Sequence, residues 1–143
     1  ISSWNVASVT TMKQMFHEAD FNQDISGWAV GAVTDMSMMF FGATAFDQSI
    51  SAWDVSSVVD MSLMFMQSPF NQDISAWEPN SVTDFTLMFN ENKDFNQNLC
   101  PWGAFILVTA DVFQMFADTS CADTEKPDLT ATTIAPLCKA TCP

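Results

Sequence analysis

The side chains best suited to chemistry in this chain are carboxylates that recur along it. Asp24 and Asp73 occupy equivalent places, with Ser49 between them. Two carboxylates on either side of a glycosidic bond carry out most glycoside hydrolysis, so a hydrolase of that type is one interpretation of the pair. Other catalytic groups are scarce, because His17 is the single histidine and no glycine-rich phosphate loop is present. The repetition itself favours an architectural role for these acids, and we expect the protein not to be an enzyme.

The chain also contains residue types that bind metals. Its ten methionines are soft ligands for cuprous ions, but they recur beside phenylalanine at helical spacing, which indicates core packing. Acidic loops near Asp20, Asp24 and Asp111 suit calcium, although no EF-hand spacing supports such a site. We therefore expect no cofactor and no resident metal, and calcium binding stays an open question.

All the cysteines lie in the last third of the chain, at Cys100, Cys121, Cys138 and Cys142. An even number confined to one end predicts disulfide bonds and an oxidising compartment. A metal site is the alternative, but paired CxxC spacings are missing and the histidine is distant in sequence. Three pairings exist, and we favour Cys100 with Cys121 and Cys138 with Cys142. The second pair closes a short loop, and the first ties the last repeat to the tail.

The formal net charge is −13, from 17 acidic residues against four lysines and no arginine. Nucleic acids and anionic membrane surfaces are bound through clustered lysine and arginine, so the composition argues against both as partners. The apolar runs are only a few residues long, far short of the roughly 18 that a membrane-spanning helix needs. A protein or a glycan is the expected partner.

The elements that position these side chains repeat along the chain. Tryptophans mark the period, at Trp4, Trp28, Trp53, Trp77 and Trp102, and their spacings are 24, 25, 24 and 25 residues. Self-similarity with a period between 20 and 50 residues is typical of arrays in which each unit packs against its neighbours.

Each repeat divides into two halves with different patterns. Met36, Met39 and Phe40 fall at i, i+3 and i+4, which is one face of a helical turn. Asp35 precedes them and is a residue type that caps helices. The other half, residues 21–30, mixes large apolar residues with polar ones and predicts a short strand. The sequence thus predicts an α/β repeat solenoid, with parallel strands on one face and short helices on the opposite face.

Polar columns run through the predicted strands. The first column consists of Gln23, Gln48, Gln72 and Gln97. Stacked amides can hydrogen-bond up and down a parallel array, so this column predicts a glutamine ladder. A second column alternates charged and neutral residues, as Asp24, Ser49, Asp73 and Asn98. Alternation limits the repulsion between carboxylates, which costs roughly 1 kcal/mol in water at about 5 Å.

We assign residues 1–117 to the repeat solenoid, as about five coils with an incomplete first one, and residues 118–143 to a C-terminal cap that contains cysteine and proline. Ile1 aligns with Ile25 and Ile50, so we expect a fragment of a longer protein with any targeting segment outside it. The first coil leaves apolar surface uncovered, which predicts self-association or packing through that end.

The repeat unit W-x-V-x-x-V-T-D-M-S-x-M-F, followed by F-N-Q-D-I-S-x-W, resembles the BspA-like repeat of bacterial surface lipoproteins and algal secreted proteins. The match extends from Ile1 to about Phe116, and the cysteine-bearing end is similar to the cap of algal members. The resemblance implies a right-handed, leucine-rich-repeat-like solenoid with a disulfide-stapled C-terminal cap, secreted or at the cell surface. It also implies adhesion or protein interaction, with no catalytic residues to carry over.

We therefore expect a non-enzymatic interaction module that binds along an exposed face of the repeat. The predicted binding residues are Asn22, Asp24, Asp47, Asp73, Ser75 and Asn96. The alternative function is a structural or accessory subunit of a larger assembly or filament.

Overall fold

The computed structural model describes residues 1–130 and 137–138. The regular element in this part of the chain is one 3₁₀ helix, Cys100–Ala104, with a proline in its first turn. Neither an α-helix nor a β-strand occurs in the described ranges. The predicted α/β solenoid is therefore wrong, and so is its leucine-rich-repeat-like form.

Three consecutive β-turns stand where each short helix was predicted. In the first repeat the N–H groups of Met15, His17 and Ala19 each donate to the carbonyl three residues earlier, at 3.1 Å. Gln14 and Glu18, the third residues of the first and last turns, have φ of 57° and 53°. An α-helix needs consecutive right-handed residues, so these left-handed positions exclude one.

The same three turns form in every repeat, over residues 12–19, 36–43, 61–68, 85–92 and 112–119. We call these the turn segments and number coils 1 to 5 after them. Left-handed residues recur at the same two places in each turn segment, and Gly42 is the only glycine among them.

The remaining N–H groups of each turn segment join it to the next coil. Met12 donates to the carbonyl of Asp35 at 2.8 Å, and every second N–H of residues 14–18 donates to the carbonyls of residues 37–41. Coils 2, 3 and 4 repeat this set of four bonds toward the coil that follows. In an α-helix the N–H groups beyond the first turn would bond within the segment. Here they hold one repeat to the next.

The core consists of side-chain columns that run through the coils. One column contains Phe16, Phe40, Phe65, Phe89 and Phe116, with adjacent ring centroids 5.5 to 5.7 Å apart. In each of the first four coils a second phenylalanine stacks on this ring at 3.8 to 4.1 Å. The positions that the helical spacing placed inward are buried from coil 2 onward. The pattern therefore identified the core residues although the backbone is not helical.

The cap contacts the last coil through a disulfide bond and a backbone bond. Cys121 and Cys138 are joined, with Cα atoms 4.7 Å apart, and the N–H of Leu99 donates to the carbonyl of Leu137 at 3.2 Å. The two favoured pairs, Cys100 with Cys121 and Cys138 with Cys142, are therefore wrong. Cys100 is disulfide-bonded as well, and Cys142 lies outside the described residues. Such bonds are typical of oxidising compartments.

Over the ranges that the structure covers, no helix has the length and apolar character to cross a membrane.

Candidate interaction surface

The predicted binding residues include a column that joins the coils through side chains. Oδ1 of Asn22 accepts the backbone N–H of Asp47 at 3.1 Å. The same contact recurs from Asn71 to Asp47 at 2.9 Å and from Asn96 to Asn71 at 3.0 Å. These side chains satisfy N–H groups in segments that have neither a backbone ladder nor a strand. Asn22, Asp47 and Asn96 are exposed, and Asn71 is half-buried.

The glutamines support this column instead of forming their own ladder. Nε2 of Gln48 donates to Oδ1 of Asn22 at 2.9 Å. Nε2 of Gln97 donates to both the backbone carbonyl and Oδ1 of Asn71, at 2.8 and 3.0 Å. The prediction that glutamine amides bond to one another is wrong at these two positions, because both amides donate to the asparagine of the preceding coil instead. The column of Asn22, Asp47, Asn71 and Asn96, together with Gln48 and Gln97, is what we call the amide column.

Asp24 and Asp73 lie beside the amide column and are exposed. Each accepts the backbone N–H two residues on, from Ser26 and from Ser75, at 2.9 Å. This backbone bond, with a smaller contribution from the serine hydroxyl, holds the pKa of both carboxyl groups below the usual range. Both acids are therefore ionised at neutral pH. Ser75 is half-buried and serves as the donor in this turn.

The placement of Asp24 and Asp73 does not favour glycoside hydrolysis. They belong to repeats two steps apart, which corresponds to roughly 10 Å at the spacing of about 4.8 Å between stacked chains. Retaining enzymes need about 5 Å, which this separation clearly exceeds, and inverting enzymes need about 6.5 to 9.5 Å, a range at whose upper limit it lies. Cavities of about 180 and 230 Å³ are present, and neither includes these two acids in its lining.

A second acidic column begins the turn segments. It consists of Asp35, Asp60, Asp84 and Asp111, with Thr11 in coil 1, and parallel bridges join each to the next. Each aspartate accepts the N–H two residues on through Oδ1, at 2.8 to 2.9 Å. Asp35 was predicted to cap a helix by accepting an N–H group, but it and its equivalents accept that group at the start of a turn and not of a helix. The D-x-[ST] spacing in three of the repeats is the signal for that turn.

The remaining candidates for catalysis or metal binding are the histidine and the methionines. His17 stacks on Phe41, with ring centroids 4.9 Å apart. The methionines at the inward positions of coils 2 to 5 are buried, whereas Met15 in coil 1 is 38% exposed. Within the described portion, no group of three or more His, Cys, Asp or Glu side chains is arranged to hold a metal ion.

Comparison with known proteins identifies the family of the chain. The family model described as "Mycoplasma protein of unknown function, DUF285" matches over residues 1–69 and again over residues 20–127. No curated protein and no solved structure matches. The overlapping matches reflect the repeat, since either range spans several copies of the tryptophan-marked unit. Together they extend over more than half of the 143 residues, so the chain belongs to the DUF285 family.

Proposed function

We propose that this protein is a non-enzymatic interaction module whose exposed face beside the amide column binds a protein or a glycan. The observation that carries the proposal is the spacing of Asn22, Asp47 and Asn96. All three residues are exposed, the side chains of Asn22 and Asp47 each accept a backbone N–H of the next coil, and Asn96 is held through its backbone N–H. A polar array with fixed spacing loses little conformational entropy when it binds, which favours an extended partner with matching hydrogen-bond groups.

The charge near this face also supports the proposal that it binds a partner. Asp24 and Asp73 remain ionised beside it, and the net charge of the chain is −13. The matching partner therefore carries basic side chains or hydroxyl groups. Because the repeat resembles the BspA-like unit and the cap contains a disulfide bond, we place this module at the cell surface or in the secreted fraction.

Screening against glycan and peptide arrays tests this proposal. A double variant, Asp24→Asn with Asp73→Asn, should weaken the binding of any hit by about tenfold or more, since two charge-assisted contacts together exceed about 1.4 kcal/mol. The matched control is Asp118→Asn with Glu125→Gln, because both residues are exposed and lie more than 20 residues after Asn96, the last residue of this face in the chain. Hits that tolerate the first pair and not the control pair would contradict the assignment of the face.

A second candidate function is a structural or accessory subunit of a larger assembly. The observation that favours it is apolar exposure at coil 1, where Ile1 and Trp4 are 40% and 54% exposed. The two functions use different surfaces, so separate variants test them.

A further inference from the structure

The outer face of coil 1 carries backbone groups that are paired in the other coils. Wherever two turn segments meet, the later one supplies four carbonyls that accept N–H groups from the earlier one. The equivalent carbonyls of coil 1 belong to Thr11, Lys13, Met15 and His17, and they accept no hydrogen bond in the described structure. Coil 1 thus presents a row of four acceptors at the spacing that a preceding turn segment would match.

An indole group on the same face lacks the acceptor that its equivalents have. The Nε1–H groups of Trp28, Trp53, Trp77 and Trp102 each donate to an isoleucine carbonyl of the coil before, at 2.9 to 3.3 Å. Trp4 has no such partner within the described residues and is 54% exposed, whereas Trp53 is 3% exposed. Because an indole N–H is a donor only, its match is a carbonyl in one defined place.

An apolar side chain on this face is also more exposed than its equivalents in the later coils. Met15 is 38% exposed, and its equivalents Met39 and Met64, which have a coil before them, are fully buried. The face is therefore the continuation of the interface that the other coils already share. A partner with the shape of another coil would cover all these side chains at once.

Charge at this face differs from that of the other coils and suits the same partner. Coil 1 has Thr11 where the later coils have aspartate, and Lys13 where coils 2 and 3 have serine. An incoming coil with aspartate in this column would meet Thr11 and Lys13 at about 4.8 Å and not another carboxylate.

We propose that the outer face of coil 1 is a docking surface for one further coil of the same repeat. The docking coil donates alternate N–H groups of its turn segment to the four free carbonyls. It also places an isoleucine carbonyl against Nε1 of Trp4. This proposal goes beyond binding at the amide column, because it concerns a different surface and names the chemistry of the partner.

A second copy of this chain does not match the face in the same way. Two coil 1 faces placed together would oppose carbonyl to carbonyl, which leaves the acceptors unpaired. At the opposite end, residues 126–130 of the tail line a cavity with Val108, Ala110 and Val112. This tail occupies part of the surface that a head-to-tail copy would need.

The experiment attaches a coil to the complete chain. A copy of residues 25–49 is fused directly before Ile1, so that Ile1 follows it as Ile50 follows Ser49. The copied Ile25 then supplies the carbonyl for Trp4, and the copied turn segment supplies the four N–H donors. The matched control carries the same 25 residues in shuffled order. We measure urea unfolding and the ¹H,¹⁵N resonance of the Trp4 indole, assigned with a Trp4→Phe variant.

We expect the extended chain to unfold in one transition at a higher urea midpoint, with an m-value larger by about one sixth, in proportion to the added buried chain. The Trp4 indole resonance should move toward those of the four paired indoles, and the shuffled control should show neither change. Trp4→Phe should lower the midpoint of the extended chain more than that of the original chain. An extended chain that behaves like the shuffled control, or an original chain that forms a dimer through Trp4 in light scattering, would overturn the proposal. Neither result bears on the Asp24 and Asp73 variants.

Discussion

The tryptophan column contains the same side chain at the end of the stack and in its middle. Trp77 is 1% exposed and lies between Trp53 and Trp102, with ring centroids 6.5 and 6.0 Å away. Its Nε1–H donates to the carbonyl of Ile50 at 3.1 Å. Trp4 is 54% exposed and stacks on one ring only. We predict that alanine at position 77 destabilises the protein far more than alanine at position 4.

The magnitudes follow from these contacts. Trp77→Ala should cost about 3 to 5 kcal/mol as a buried large-to-small substitution. The unpaired carbonyl of Ile50 places the value toward the upper end, because an unsatisfied buried acceptor costs about 1 to 3 kcal/mol. Trp4→Ala should cost about 2 kcal/mol, since roughly half of the apolar area of an indole is lost at about 25 cal/mol per Å².

Urea unfolding followed by the fluorescence of the remaining tryptophans measures both values by linear extrapolation. Trp77→Phe provides a third point. This variant keeps an aromatic ring in the column and removes the indole donor. Its free energy of unfolding should therefore lie between those of the parent and Trp77→Ala. Equal losses for Trp4→Ala and Trp77→Ala would refute the argument that stacking from both sides stabilises the internal coils.

Three further predictions concern the turns, the acids and the cap. Gly42→Ala should destabilise the protein by about 1 kcal/mol or more, because φ is +62° and the new Cβ would lie 3.2 Å from Cγ of Glu18. Gly27→Ala is the control, since no atom lies within 4 Å of its new Cβ, and it should be neutral or slightly stabilising. Hydrogen bonding lowers the pKa of Asp73 in the folded state, so its stabilisation is complete above the unfolded pKa and is lost as the pH falls below about 4. Asp73→Asn should flatten that part of the curve of unfolding free energy against pH, and an unchanged curve would contradict the assignment. Serine at Cys121 and Cys138 together should lower the unfolding free energy by about 3 kcal/mol for a bridge between residues 17 apart in sequence; a thermal midpoint that is unchanged in the double variant would exclude a stabilising role.

Sequence periodicity correctly indicated which side chains face the core. Met36, Met39 and Phe40 are buried because their column is repeated in the neighbouring coils, and the stack buries that column whatever the backbone conformation. The same three residues wrongly predicted a helix. A spacing of i, i+3 and i+4 is satisfied by successive β-turns as well as by a helix, and Met38 at φ 57° lies between them. Propensity does not reveal that choice, since methionine favours helices.

At the candidate site too, the sequence predicted which residues are exposed but not which atoms they contact. Exposure of Asn22 and Asp47 follows from their polar character, but the bond from the Asp47 N–H to Oδ1 of Asn22 joins residues 25 apart. Aligning the repeats places these two residues in one column, but it does not show that a side chain of one coil accepts the backbone N–H of the next. The pairing of Cys121 with Cys138 was missed for a related reason, because the path of the tail across the last coil sets which sulfur atoms meet.

The amino-acid order is sufficient for the period, the inward and outward columns, the acidic surface and the position of the cysteines, since each depends on residue type and spacing alone. The backbone conformation of the coils depends on contacts between repeats. The turn segments of coils 1 to 4 give their alternate N–H groups to the next coil, as Met12 does to Asp35, and those donors are then not available to a helix. A single repeat has no partner for them, so the conformation is selected when the coils stack.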